Sequence, residues 1–183
     1  MALAINSRRL LPILRTGLLV ILVVAASQVA AITYQTPVEF LKQEFGETTP
    51  APRALWIKRD LNVRLQSILQ HKPGFMRARY WKHAAKTVWI LNEIGKTELI
   101  TFAVLIENNT ISKISVLEFR ETRGWEIKHD FFTRQFLKAR LNPDLSLSKS
   151  VDNITGATLS VRAMQKIARV ALLLDQTINP LPK

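Results

Sequence analysis

Residues 87–119 read TVWILNEIGKTELITFAVLIENNTISKISVLEF, and this stretch decides the fold class. Residues 87–91 (TVWIL), 99–106 (LITFAVLI) and 111–119 (ISKISVLEF) are rich in β-branched and aromatic side chains, which fit a pleated surface. Gly95-Lys96 separates the first two, and Asn108-Asn109 separates the last two. Asparagine tolerates the left-handed conformation that a tight hairpin demands. The stretch predicts a three-stranded antiparallel meander. Several of its positions are apolar on both parities, so both faces are expected to be covered, one of them by helices.

Working outward, residues 37–45 predict a short helix with Pro37 in its first turn. Gly46 and residues 48–52 (TTPAP) then break the chain. A second helix is expected over residues 53–70, because Ile57, Leu61, Leu65 and Ile68 line one face, and Pro73-Gly74 ends it. Beyond the meander, residues 121–125 leave the sheet. Phe131, Phe132 and Phe136 lie on a segment without a clear period, and residues 142–149 read as polar loop. A last helix over residues 159–174 would bury Val161, Met164, Ile167, Val170, Ala171 and Leu174. The class is α+β, an antiparallel β-meander packed with helices.

The N-terminus has the parts of an export signal. Arg8, Arg9 and Arg15 precede the apolar run GLLVILVVAA at residues 17–26, and small residues end at Val29-Ala30-Ala31. A spanning helix wants about 20 apolar residues, and Ser27 and Gln28 come too early for that. Residues 1–31 are therefore expected to be a signal peptide or membrane anchor, with cleavage near Ala31 favoured. Either way the positive flank stays in the cytoplasm. The rest would work in the periplasm or on the outer face of the cytoplasmic membrane. Residues 32–75 follow as an N-terminal helical segment, and residues 76–183 as the main domain.

Composition removes several classes of function. The chain has 183 residues and no cysteine, which excludes disulfides, thiolate metal sites, a thiol nucleophile and a lipoprotein anchor. His71, His83 and His129 are not at metal-ligand spacing. The formal net charge of +12 is spread along the chain, with no helix-turn-helix, zinc or RNA-recognition signature, so no nucleic-acid partner is expected. Such charge suits an acidic redox partner or association with an anionic membrane surface. No paired carboxylates, Ser-His-Asp set or nucleotide loop is apparent, so a carrier is better supported than an independent enzyme.

The chemistry concentrates in residues 152–160, DNITGATLS. Asp152, Thr155, Gly156, Ala157 and Thr158 lie where the last helix is expected to begin. Unpaired amides and the helix dipole attract phosphate there. Gly156 and Ala157 would let a bulky group approach the backbone, and Thr158 offers an oxygen that can be esterified. The plain alternative is a helix cap supplied by Thr155 or Thr158.

This segment resembles the flavinylation motif of the FMN-binding domain family, seen in the flavin-carrying subunits of the sodium-translocating NADH:quinone reductase and the Rnf complex. The resemblance implies that Thr158 carries FMN through a phosphoester bond made from FAD by a flavin transferase. It extends upstream to residues 116–125 (VLEFRETRGW), which are similar to the family's strand followed by Glu-Thr-Pro-Gly. That likeness places Glu121, Thr122 and Gly124 against the flavin ring. Arg123 stands where the family has proline, which leaves the turn less rigid. Trp125 is able to stack on the ring or to serve as a core or cover residue. Residues 76–183 are accordingly read as an FMN-binding domain.

The resemblance implies an exported electron carrier. It would relay electrons to or from a membrane or periplasmic redox partner such as a cytochrome. A stand-alone flavin reductase and a non-redox exported module that binds a partner or the membrane are the alternatives.

Overall fold

A computed structural model describes residues 31–180. The leader expected over residues 1–31 lies outside this range except for Ala31. Six strands form one antiparallel sheet: β1 (Ile32–Thr33), β2 (Arg53–Trp56), β3 (Arg77–His83), β4 (Lys86–Ile94), β5 (Leu99–Glu107) and β6 (Thr110–Phe119). Their spatial order is β1-β6-β5-β4-β3-β2. The helices are α1 (Pro37–Phe45), α2 (Arg59–Leu69), the short α3 (Asp130–Thr133) and α4 (Thr158–Ile178). The architecture is α+β, as the sequence predicts.

The central meander β4-β5-β6 follows directly from local chemistry. Asn108 and Asn109 sit at φ 50° and 60°, the left-handed pair that closes the β5–β6 hairpin. Apolar side chains point both ways, and both faces are covered. On one face, Trp89, Leu91, Ile100, Phe102 and Val104 join one core with Leu65 and Ile68 of α2 and Met164, Ile167, Val170, Ala171 and Leu174 of α4. On the other face, Trp81, Val88, Ala103, Leu105 and Leu117 pack under Phe40 and Leu41 of α1. Each such leucine, valine or phenylalanine contributes about 1.5–3 kcal/mol when fully buried.

Three strands were not foreseen. Residues 53–56 were expected to open the second helix, but they form β2, paired with Arg77–Tyr80. Helix α2 begins only at Arg59 and ends before Gln70, which takes the left-handed conformation at φ 64°, ahead of Pro73-Gly74. The reason is tertiary: once β3 is in place, its outer edge offers Arg53–Trp56 a ladder. Strand β3 carries Arg77, Arg79 and Lys82 among its apolar residues and shows no clean alternation. Strand β1 is two residues long, pairing Ile32 with Phe119 and Thr33 with Glu118. Residues 32–75 are thus not only helical, since they give two strands to the sheet that holds the meander.

Candidate functional site

The site is built where β6 leaves the sheet and α4 begins. At the start of α4 the residues expected to hold phosphate form a tight bend. Thr155 and Gly156 make an exposed turn closed by the Ala157 amide donating to the Ile154 carbonyl at 2.9 Å. Gly156 has φ 85°, and a Cβ there would meet nothing within 4 Å, so backbone conformation calls for glycine and the space beside it is open. Ala157 is buried and occupies the cap position, and Thr158 is the first helical residue.

No side chain caps this helix. The contrast with α1 is informative. There Thr36 and Glu39 form a complete capping box, with the Glu39 amide donating to Thr36 Oγ1 at 3.2 Å and the Thr36 amide donating to Glu39 Oε2 at 2.7 Å. Helix α4 spans 21 residues and has hydroxyls at its start, yet among the described residues no side chain accepts a capping hydrogen bond from its first amides. The cap reading of Thr155 and Thr158 is therefore replaced: both hydroxyls are free of that duty. Thr158 Oγ1 accepts a 2.9 Å hydrogen bond from Asn153 Nδ2, which fixes its oxygen and leaves its own proton available. Uncapped amides at a long helix's positive end, beside an esterifiable oxygen, are the kind of groups that attract phosphate.

The turn from residues 121–125 splits into two roles. Gly124 has φ 90° and lies against the start of α4. A Cβ on it would stand 3.1 Å from Ser160 Cβ, closer still to the Ser160 hydroxyl, and 3.6 Å from Ala157 Cα. Turn and motif thus touch, and Trp125 follows at the surface with 44% of its area exposed. Its ring meets His129 edge-on at 5.4 Å, and the Lys128 ammonium lies 5.3 Å from it. Trp125 is therefore not a core residue. Leu159, beside Thr158, is likewise exposed.

Glu121 turns the other way. Its buried carboxylate accepts hydrogen bonds from the amides of Lys96, Thr97 (2.7 Å) and Glu98 (2.9 Å) and from the Thr97 hydroxyl at 3.2 Å. Burial alone would push this carboxyl up. The hydrogen bonds from Glu98, Thr97 and Lys96 outweigh it and hold the group below the ordinary carboxylate value. The side chain clamps the β4–β5 turn to the Gly124 turn. Gly95 leaves room for it, since a Cβ there would stand 2.8 Å from Glu121 Oε1. Thr122 and Asp152 are exposed, and the Asp152 amide donates to Gln135 Oε1 at 2.7 Å.

Asn153 and Ser160 were missed by reasoning from sequence. Both lie inside the motif stretch, but only the folded turn shows that one bonds to Thr158 and the other faces Gly124. Among the described residues there is no group of three His, Asp or Glu able to hold a metal ion, and no helix long and apolar enough to cross a membrane.

An antiparallel sheet whose exit turn packs on the start of a long helix leaves that helix's first amides open to an anionic group. Residues 95–173 match the model of the FMN-binding domain family, and this match supports FMN binding by that part of the chain. The match begins at Gly95, in the turn clamped by Glu121, and includes the whole DNITGATLS stretch. No curated protein matches the chain. The residues present suit FMN: a helix start with open amides, open space beside Gly156, and the exposed side chains of Trp125 and Leu159.

Proposed function

We propose that the chain is an exported electron-transfer flavoprotein carrying FMN through a phosphoester to Thr158. It relays electrons to or from a membrane or periplasmic redox partner. The observation that carries this reading is the uncapped start of α4, with Thr158 as its first residue and its oxygen held by Asn153. When bound, FMN supplies one- and two-electron chemistry, and the protein supplies attachment, orientation and electrostatics.

The division of labour among the chain's own residues is specific. The amides at the helix start neutralise phosphate charge, and Thr158 Oγ1 forms the ester. Gly156 keeps the approach open. The Thr158 oxygen would hold the FMN phosphate as an ester, a bond that a flavin transferase would make from FAD with AMP as the leaving group. Gly124 brings the residue 121–125 turn against the motif, and Trp125 offers an exposed aromatic face. A covalent bond suits a protein outside the cytoplasm, where a dissociable FMN would be lost by diffusion. Without the leader the chain carries about +9, a field that draws acidic partners over long range.

The test is intact mass after co-expression with a flavin transferase. The expected product is heavier by FMN less one water. Thr158→Ala should abolish that increase, while Thr155→Ala and Asn153→Ala should only slow or reduce it. An unchanged adduct on Thr158→Ala would overturn the assignment.

A further inference from the structure

The β3–β4 ladder starts at the hairpin pair His83–Lys86 and stops at Tyr80–Trp89. Both strands continue past that point, but apart. Strand β3 runs back to Arg77 paired only with β2, and β4 runs on to Ile94 paired only with β5. Between them lies a cleft of about 880 Å³, lined on one wall by Arg77, Ala78 and Arg79 and on the other by Ile90, Asn92 and Ile94. Leu69 and Phe75, from the end of α2 and the loop after it, also line it. Its volume falls within the usual range for binding cavities.

Backbone alternation shows what the walls present. The Gly95 amide donates to the Glu98 carbonyl at 2.9 Å, so alternate residues Glu93 and Leu91 bond toward β5. The backbone groups of Asn92 and Ile94 therefore point into the cleft. On the other wall, the Ile57 amide donates to the Met76 carbonyl at 3.0 Å. Ala78 and Tyr80 then bond toward β2, and Arg77 points its backbone into the cleft. Two strand edges face each other inside one sheet, each without a strand partner among the described residues.

The charge of the cleft selects the occupant. Arg53, Lys72, Arg77 and Arg79 line it, and none of them is in an ion pair among the described residues. Arg77 instead lies over the exposed Trp56 ring at 5.8 Å. The cleft's carboxylate, Glu93, is already engaged, with His71 Nε2 and Lys166 Nζ each 3.0 Å from Oε1. Arginines on an open edge repel basic strands and disfavour apolar ones, which would strip water from the charges. The complement of such an edge is an extended segment with acidic side chains.

We propose that this cleft binds an extended acidic polypeptide segment of a partner protein, which adds as a strand to the free edge of β4. Main-chain bonds to Asn92 and Ile94 would hold the segment, and Arg77 and Arg79 would select for acidic side chains. The segment would lie along the strand that ends in the turn clamped by Glu121. The proposal does not depend on flavin attachment.

The full-length chain, purified in mild detergent, is titrated with a synthetic decapeptide of alternating valine and glutamate. Saturating peptide should slow amide hydrogen exchange at Asn92 and Ile94 by roughly tenfold or more. Arg77→Glu/Arg79→Glu should weaken binding by roughly tenfold or more, as loss of two charge pairs implies. Arg77→Gln/Arg79→Gln gives a smaller loss in the same direction, should the reversed charges disturb folding. A decapeptide with alternate amides N-methylated should not bind. The Thr158→Ala chain should bind the parent peptide normally, which separates this result from that of flavin attachment. Unchanged exchange at Asn92 and Ile94 under saturating peptide, or equal affinity for a valine–lysine decapeptide, would overturn the proposal. So would arginine-dependent binding to phosphatidylglycerol vesicles with no protection by peptide, which would assign the edge to lipid.

Discussion

Gly124 lies against Ser160 so closely that a methyl group on the glycine would stand 3.1 Å from Ser160 Cβ and nearer still to its hydroxyl. These residues are 36 positions apart in the chain, one in the turn that leaves β6 and the other in the first turn of α4. Their contact joins the two halves of the candidate site. Gly124→Ala adds the cost of a non-glycine residue at φ 90°, roughly 1–2 kcal/mol, to that of forcing the turn from the helix. Ser160→Ala in the same chain should recover part of the contact cost and none of the backbone cost. Chemical denaturation of the two single variants and the double variant measures this. Strict additivity of the two changes would show that the residues do not press on each other. Gly124→Val should cost more than Gly124→Ala and should also impair FMN attachment, because the displaced turn abuts Ala157.

Trp125 should matter to the cofactor more than to the fold. With 44% of its surface exposed, Trp125→Ala is expected to change stability by no more than about 1 kcal/mol. In the flavin-loaded protein the same change should alter the flavin absorption envelope and raise flavin fluorescence, since a stacked indole quenches it. Unaltered absorption and emission would show that the tryptophan does not touch the ring.

Glu121 makes stability depend on acid. Its folded carboxyl lies below the ordinary value of about 4.3. Its contribution is therefore complete above that value and is lost as pH falls through the folded value. Glu121→Ala removes charge-assisted bonds to the β4–β5 turn and should cost roughly 1.5–3 kcal/mol at neutral pH. Denaturation at pH 7 and in acid should show the gap between parent and variant narrowing as pH drops. A gap that stays constant would mean that the carboxylate charge is not what holds the turn.

Asp175 acts in the opposite sense. It is buried in α4, with Trp89 Nε1 at 3.5 Å and Asn179 Nδ2 donating to it at 3.1 Å. Burial pushes its carboxyl up. The hydrogen bonds from Asn179, Thr87 and Trp89 and the Lys82 charge pull it down but do not cancel that effect. The folded protein thus binds this proton more tightly than the unfolded chain does. Its contribution to stability falls as pH rises through the folded value and is regained as pH drops toward the ordinary value of about 3.9. Asp175→Asn should raise the melting temperature at neutral pH and flatten this part of the pH profile. A lower melting temperature would show that the charge is needed by Lys82 and Asn179.

Much of this protein is determined by local sequence. The β4-β5-β6 meander is legible because β-branched runs alternate with Gly95-Lys96 and Asn108-Asn109. Residues 37–45 declare α1 through Pro37 in its first turn and Gly46 just beyond it. The apolar stripe of α4 is legible from its period, and the DNITGATLS stretch points to FMN through its resemblance to a family motif. Each of these signals sits within a few residues of the structure it specifies. What only the tertiary structure decided depends on partners far away in the chain. Residues 53–56 become a strand because β3 offers them an edge, although their apolar spacing continues that of the helix after them. Glu121 serves the β4–β5 turn because Lys96, Thr97 and Glu98 converge on it, a use that no feature of residues 121–125 announces. The same holds for Asn153 at Thr158, where a five-residue bend has to close before the hydrogen bond exists. The gap between β3 and β4 is the clearest case, since a strand's own residues cannot say where its neighbour turns away.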